Sequence, residues 1–498
     1  MSALAKLLLA MGKEVSGSDA VRSKSLSLLI KKGARVRAGN FPTGVRRAEL
    51  VVYTAAIAPD NPDLLLARKL GKPVVERAVF LGLLSRRFKS IVAVSGTHGK
   101  TSTTAMLAEC LSGAGKNPTV HLGGDLGSMG GNLRIGGKDI FLTEACEFNK
   151  SFLHIFPGIS VITNIEPDHM DCYKTEDALT DAFKQFARQT KELVVVGCSS
   201  LTKSDFDTRA KIVTFGLSNA NDVYAENIKA DERGCCSFDL FYREKYLDMI
   251  YIATPGKHQV LNALAAIAVC LYLGVDIDYI REALSRFAGV DRRFELLYQS
   301  GEIQQESELK YEGSKQQYDE LKRLNVTHLE NEVQQKSGIM QECRLRQDKG
   351  RQQESSIRQG AISIYHDYAH HPTEIRAALD TARILSKGRV ICVFQPHTYT
   401  RTQFLWEEFR DSFVGADVLI MVPTYAAREK EIVGARAEDL IKVISNVGKI
   451  AFATDKVQLG IILRHELIPN DTVIFMGAGT IENIAHEFVA EITQNPLT

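Results

Sequence analysis

The sequence predicts an α/β protein built from three successive units, and three observations carry that prediction. Short apolar strands alternate with helical segments along most of the chain, the rhythm of parallel sheets covered by helices. At 498 residues the chain exceeds what one hydrophobic core usually serves, so two to four domains are expected. A glycine-bracketed loop, SGTHGKTS at 95–102, also joins an apolar strand to a helix inside the second unit.

The first unit, 1–87, opens with the helix SALAKLLLAMG and the strand KEVSGSD. RSKSLSLLIKKG is a helix ended by Gly33. ELVVYTAAI reads as a buried strand, NPDLLLARKLG as a helix ended by Gly71, KPVVE as a strand and AVFLGLLSRRF as a helix. In a nucleotide-binding α/β domain a strand and a glycine-rich turn precede such a first helix. Neither stands before SALAKLLLAM, so the start reads as falling inside a domain. An unpaired strand edge and an uncovered apolar helix face are therefore expected there.

The second unit places strands at IVAVSG, DIFLTEA, ISVITNI and ELVVVG, then turns β-rich across 211–252. TPGKHQVLNALAAIAVCLYLG is a helix, and a further helix follows Asp276. The third unit runs from about 361, with strands at AISIYHDYAH, RVICVFQPH, ADVLIMVPTY, KIAFAT and TVIFMGAG. Between the second and third units, residues 303–359 are rich in Gln, Glu and Lys with sparse apolar positions. Such a stretch buries little surface and reads as disordered or as a solvated helical excursion. Within it YDELKRLNVTHLENEV has the rough periodicity that a coiled-coil arm would use.

Bulk chemistry narrows the function classes. A formal net charge of +1 gives no global field for nucleic acid or a membrane surface, so anion binding must be local. Nine scattered cysteines, no C-x-x-C pair, no secretory signal and no membrane-length apolar run fit a reducing compartment, most simply the cytoplasm.

Gly96, Thr97, His98, Gly99, Lys100, Thr101 and Ser102 form a candidate phosphate loop. Its backbone N–H groups can turn inward on phosphate oxygens, Lys100 can reach the β and γ phosphates, and the Thr101 hydroxyl can bind Mg²⁺. The usual G-x-x-x-x-G-K-[ST] pattern has a glycine where Val94 stands, so this is a shorter variant of that loop. Glu144 and Glu147 follow one buried strand and His169 follows another. Strand ends of a parallel sheet share an edge with such a loop, where these groups can complete the shell of one or two Mg²⁺ ions. Alone, each would more often be an ordinary polar residue at a loop end. HDYAHHPTEI (366–375) and FQPHTYTRT (394–402) put His, Tyr and Arg after two strands of the third unit, where a substrate carboxylate or phosphate would be met.

SGTHGKTSTTAML, EACEFNKSFL, TNIEPDHMDCY, PGKHQVLNALAA, GVDRRFE, DYAHHPTEI, FQPHTYTRT and MGAGTIENIA occur in this order. On these motifs the chain resembles the Mur ligase family throughout, except for 299–360. The GTHGKT loop marks the broad family, and the DYAHHPTEI and FQPH-x-Y-T-R-T pair points to its L-alanine-adding member.

The resemblance implies a Rossmann-like N-terminal UDP-sugar domain (1–87), a central P-loop ATPase domain (88–290) and a Rossmann-like C-terminal amino-acid domain (291–498) carrying 303–359 as an insertion. It implies an ATP- and Mg²⁺-dependent ligase that joins L-alanine to the carboxylate of UDP-N-acetylmuramate through an acyl phosphate, in cell-wall precursor synthesis. By motif match, Lys100, His169 and Arg401 are catalytic, and Thr101, Glu144 and His169 serve the metal. Asn262, Arg293, Asp367 and Tyr368 join the 96–102 loop around ATP, and His397 and Arg401 meet the amino acid. No nucleic acid or membrane partner is expected, and the chain is expected to be a monomer or homodimer.

Three departures bear on this. The family's first strand and G-x-G-G-x-[GS] turn do not precede the first helix, so ATP is expected to bind nearly normally and the UDP-sugar weakly. Thr398 stands where many members carry an arginine. The 303–359 segment is long for a connection of its kind. Two other readings remain open: a nucleotide-binding homologue without ligase activity, and a related ligase adding another amino acid or a peptide.

Overall fold

The computed structural model describes residues 1–55, 57–197, 201–300 and 360–495, so the 303–359 segment lies outside the described residues. Two sheets organise the second and third units, and the first unit is simpler than expected. There β1 (Ser16–Asp19) pairs with β2 (Arg35–Ala38), and β3 (Val51–Tyr53) pairs with β4 (Val74–Glu76), each in parallel. These are two separate pairs, not one parallel sheet. ELVVYTAAI contributes only Val51–Tyr53, all half-buried, whereas a strand covered on both faces would be a longer and fully buried apolar run. Asp63 ties the two pairs together: its carboxylate accepts from Ser18 Oγ at 2.8 Å and from Phe41 N at 2.7 Å.

The helix Ser2–Ala10 also corrects an expectation, because its apolar face is covered. Leu4 and Leu7 pack with Leu81, Leu84, Phe88 and Phe141 in one continuous core. Burying a leucine side chain of this kind is worth roughly 1.5–3 kcal/mol.

In the second unit the strands are β5 (Ser90–Ser95), β6 (Thr119–Leu126), β7 (Gly131–Arg134), β8 (Ile140–Glu144), β9 (Ile159–Ile162), β10 (Leu193–Gly197), β11 (Lys211–Gly216), β12 (Val223–Ala230), β13 (Cys235–Tyr242) and β14 (Lys245–Pro255). Among the described residues they form a single sheet in the order β14-β13-β12-β11-β10-β9-β5-β8-β6-β7. Strands β6 and β8–β12 run parallel with β5, while β7 and the β12-β13-β14 meander pair antiparallel at the two ends. β5 shows why both faces are covered: Val92 and Val94 enter one core, and Ile91 and Ala93 the other. The next strands, β8 and β9, lie on opposite sides of β5, so the chain order reverses there. In open α/β sheets that reversal is where the crevice for a ligand forms.

The third unit has β15 (Glu295–Gln299), β16 (Ser363–Asp367), β17 (Val390–Phe394), β18 (Val418–Met421), β19 (Lys449–Phe452) and β20 (Thr472–Met476) in the order β15-β16-β20-β17-β18-β19. All pairings are parallel except β15 with β16. The loops after β16 and β17 therefore leave the sheet from the same edge, flanking the glycine turn after β20. That edge faces the phosphate-loop edge of the second unit.

Candidate active site between the second and third units

The loop after β5 has the backbone its glycines require. Gly96 has φ +129° and Gly99 φ +79°, conformations that side-chain-bearing residues rarely adopt. Space is closed as well: a Cβ on Gly96 would meet Thr163 Oγ1 at 2.0 Å, and one on Gly99 would meet Asn262 Oδ1 at 2.2 Å. Asn262 reaches the loop from the helix His258–Tyr272, braced by Gln259. The loop is latched to the segment after β9 as well, since His98 N donates to Asn164 Oδ1 at 2.9 Å and Thr97 Oγ1 donates to the Glu166 carbonyl at 2.9 Å. Lys100 opens the helix Lys100–Gly113, with Ser102 buried in its first turn.

The Lys100 ammonium folds back over its own loop. It donates to the Gly96 carbonyl, to the Thr97 carbonyl at 2.9 Å, and to Glu147 Oε1 at 3.1 Å. Glu147 is only 1% exposed, yet burial does not neutralise it, because Lys100 and His169 hold its carboxyl below the usual range. His169 Nε2 lies 3.4 Å from the same Oε1, and Glu147 Oε2 pairs with the Lys100 ammonium at 2.9 Å. Glu144 behaves differently. Burial raises its carboxyl pKa against hydrogen bonds from Gly123 N at 2.6 Å and Thr101 Oγ1 at 3.1 Å. The structure thus gathers Thr101 with Glu144, and Lys100 and His169 around Glu147. Glu147 is the carboxylate linking Lys100 to His169, a role its place in EACEFN did not reveal.

The third unit closes over this edge. Arg293 reaches Glu374 at 3.3 Å and lies over the Tyr368 ring. Asp367 accepts from Phe294 N at 2.9 Å and Ala369 N at 2.7 Å, and burial pushes its carboxyl up to about 6. Arg401, 8% exposed, is not a free guanidinium. It forks onto Asp168 at 2.9 and 3.3 Å and bonds both Nδ1 and the carbonyl of His397 at 2.9 and 2.8 Å. Of the five N–H donors of an arginine, that leaves one for a ligand. Burial, with the Arg401 charge beside it, keeps His397 neutral, its pKa down at about 4. Thr398 sits at φ +69°, a strained conformation for a β-branched residue, held by its N–H on the Tyr425 carbonyl.

Asp168, His169, His397, Thr398, Arg401, Tyr425 and Arg428 line a cavity of about 450 Å³ between the two units. Arg428 is exposed and has no side-chain partner among the described residues. Sequence reasoning missed Asp168 and Arg428. Asp168 was one residue from His169 in EPDHMD, but its partner Arg401 lies 233 positions away.

His98 and His371 form a second cross-unit contact. Their rings lie 4.3 Å apart, with Glu166 and Glu374 beside them. Burial opposes charge on His98, but the two carboxylates outweigh it and push its pKa up to about 9. Thr373 Oγ1 donates to Glu166 at 2.6 Å, and His371 Nε2 donates to the Pro167 carbonyl at 3.1 Å.

Comparison with known proteins bears on the whole chain. Residues 1–89 match the Mur ligase family, catalytic domain; residues 94–270 the Mur ligase middle domain; and residues 350–479 the Mur ligase, glutamate ligase domain. A UDP-N-acetylmuramate–L-alanine ligase of Caldanaerobacter subterraneus subsp. tengcongensis is 35% identical over 99% of this chain and 95% of its own. One from Acetivibrio thermocellus is 36% identical over 99% and 93%. The crystal structure of a UDP-N-acetylmuramate–alanine ligase from Thermotoga maritima superposes with a TM-score of 0.74 at 26% identity, covering 99% of this chain and 97% of that one. With three matched segments in order and relatives at this identity from end to end, the chain belongs to the Mur ligase family.

Proposed function

We propose that this chain is an ATP-dependent ligase joining L-alanine to UDP-N-acetylmuramate, an early step in making peptidoglycan precursors. The observation that carries the reading is the meeting of two edges: the phosphate loop of the second unit opens beside the cavity that Asp168 of the second unit and His397 and Arg401 of the third line together. Phosphoryl transfer and amide formation must share atoms, and one crevice holds both sets of groups.

A muramate carboxylate oxygen attacks the γ-phosphorus of ATP, the bond to the bridging oxygen breaks, and ADP leaves. The alanine nitrogen then attacks the acyl carbon and loses its proton, and the tetrahedral intermediate expels phosphate. Lys100 faces the γ-phosphoryl group, whose charge must be neutralised in transit. Gly96, Thr97, His98, Gly99, Thr101 and Ser102 cradle the phosphates, and Asn262, Arg293, Asp367 and Tyr368 enclose the nucleoside side. Arg401, fixed by Asp168, and His397 place the amino acid. Arg428, which lines the cavity with no side-chain partner among the described residues, compensates for Thr398.

The oxygen donors of Thr101 and Glu144, with the buried carboxylate of Glu147 paired to Lys100 nearby, suit a hard divalent cation, and His169 adds a nitrogen. Mg²⁺ held by Thr101, Glu144 and His169 would neutralise phosphate charge. We assign 1–87 to the UDP-sugar, 88–290 to ATP and 291–498 to the amino acid. No helix among the described residues is long and apolar enough to cross a membrane, and a cytoplasmic location fits the substrates. The test is ADP release with UDP-N-acetylmuramate and L-alanine, glycine or L-serine. Release is expected to need both the UDP-sugar and an amino acid and to be fastest with L-alanine. Release independent of either would contradict the reading.

A further inference from the structure

The phosphate loop offers ATP the backbone of His98, while the side chains of His98, Glu166 and His371 face one another away from the ligation chemistry, their ring nitrogens set as those of metal-binding histidines are. Nδ1 of His98 lies 3.4 Å from the Glu374 carboxylate, while Nε2 faces Glu166 Oε2 at 3.5 Å without a hydrogen-bond partner. His371 is anchored the other way round. Its Nε2 donates to the Pro167 carbonyl at 3.1 Å, and its Nδ1, which accepts a hydrogen bond from Thr373 N at 3.3 Å that an ion would displace, lies 3.9 Å from the same Glu166 oxygen. Each imidazole therefore has its outer nitrogen on an oxygen acceptor and its inner nitrogen turned to a shared carboxylate. That outer anchoring fixes tautomer and ring orientation in metal sites. One donor atom from each of the three residues lies within 4.8 Å of the others.

We propose that His98, Glu166 and His371 form a binding site for a Zn²⁺-class cation that staples the third unit to the phosphate loop. Two imidazoles and one carboxylate suit Zn²⁺ or Co²⁺ rather than Mg²⁺, which prefers an all-oxygen shell. The ion displaces the proton that His98 otherwise carries. His98 and Glu166 belong to the second unit and His371 to the third, so the ion holds the two together and slows any step that needs them apart. Its effect on turnover is inhibitory.

The probe is Co²⁺, titrated into the chelator-treated full chain in excess Mg²⁺ and followed by its visible absorption. One site is expected, with a four-coordinate spectrum and no thiolate charge-transfer band. Affinity should fall by at least about tenfold in His371→Ala and Glu166→Gln, and by about 10–100-fold in Glu374→Gln, which keeps all three ligands but weakens the outer anchor of His98. His169→Ala should leave it unchanged. Thermal unfolding checks that each variant folds, and His371→Gln repeats the test with the side-chain bulk retained. Affinity unchanged in the His371 variants, a thiolate band, or loss in His169→Ala instead would overturn the proposal.

Discussion

Lys100 is the residue on which the phosphate chemistry turns. Lys100→Ala is expected to lower ATP-driven ligation by about 10²–10³-fold or more, the scale seen when one preorganised charge stabiliser is removed. Circular dichroism should still show a folded chain, and full ADP release by that folded variant would remove Lys100 from the site. Arg401 makes a different prediction, because its partner is another buried residue. Arg401→Ala leaves the buried Asp168 carboxylate without its guanidinium partner, which should cost about 3–5 kcal/mol of stability. The double variant Asp168→Asn/Arg401→Met should recover most of that loss in denaturant unfolding without recovering L-alanine use. If the single variant is as stable as the parent, the pair does not hold the units together.

Two strand ends and one loop, all beside β5, make the metal-facing edge. Activity is expected to require Mg²⁺ through Thr101, Glu144 and His169. Glu144→Ala and His169→Ala should therefore each raise the Mg²⁺ concentration needed for half-maximal rate; an unchanged requirement in both would refute the assignment. At this scale much was legible in the sequence. The strands β5, β8, β9 and β10 are continuous apolar runs, and those after 360 are equally plain, so burial on both faces announces them. The first unit was harder to read, because strands of three or four half-buried residues carry no such run. The covered face of the helix Ser2–Ala10 was also hidden, since Leu81, Leu84 and Phe141 cover it from far along the chain. Lys100, Thr101, Glu144 and His169 were readable because each sits at the end of a strong local pattern. Asp168, Glu147 and Arg428 draw their meaning from partners or a cavity that only folding assembles.

Across the whole molecule, the described residues of the second and third units meet through charged and hydrogen-bonded groups rather than a shared apolar core, so their docking should respond to pH. Burial works against the charge on His98, but Glu166 and Glu374 raise its pKa from 6.5 to about 9. A raised histidine contributes stability that is fully present below pH 6.5 and lost as pH rises through about 9. The amount is on the order of 3 kcal/mol. With chelator present, the excess stability of the parent over His98→Gln should shrink across that window; a constant difference would show that His98 is not charged in the docked state. The same docking brings the phosphate loop to the amino-acid cavity, and the central claim is that one crevice makes an acyl phosphate and then an amide. Oxygen-18 placed in the muramate carboxylate tests this directly, with the released phosphate analysed by mass spectrometry. The account predicts that each turnover transfers one carboxylate oxygen to phosphate. Ligation that proceeds with no label in the phosphate would contradict it.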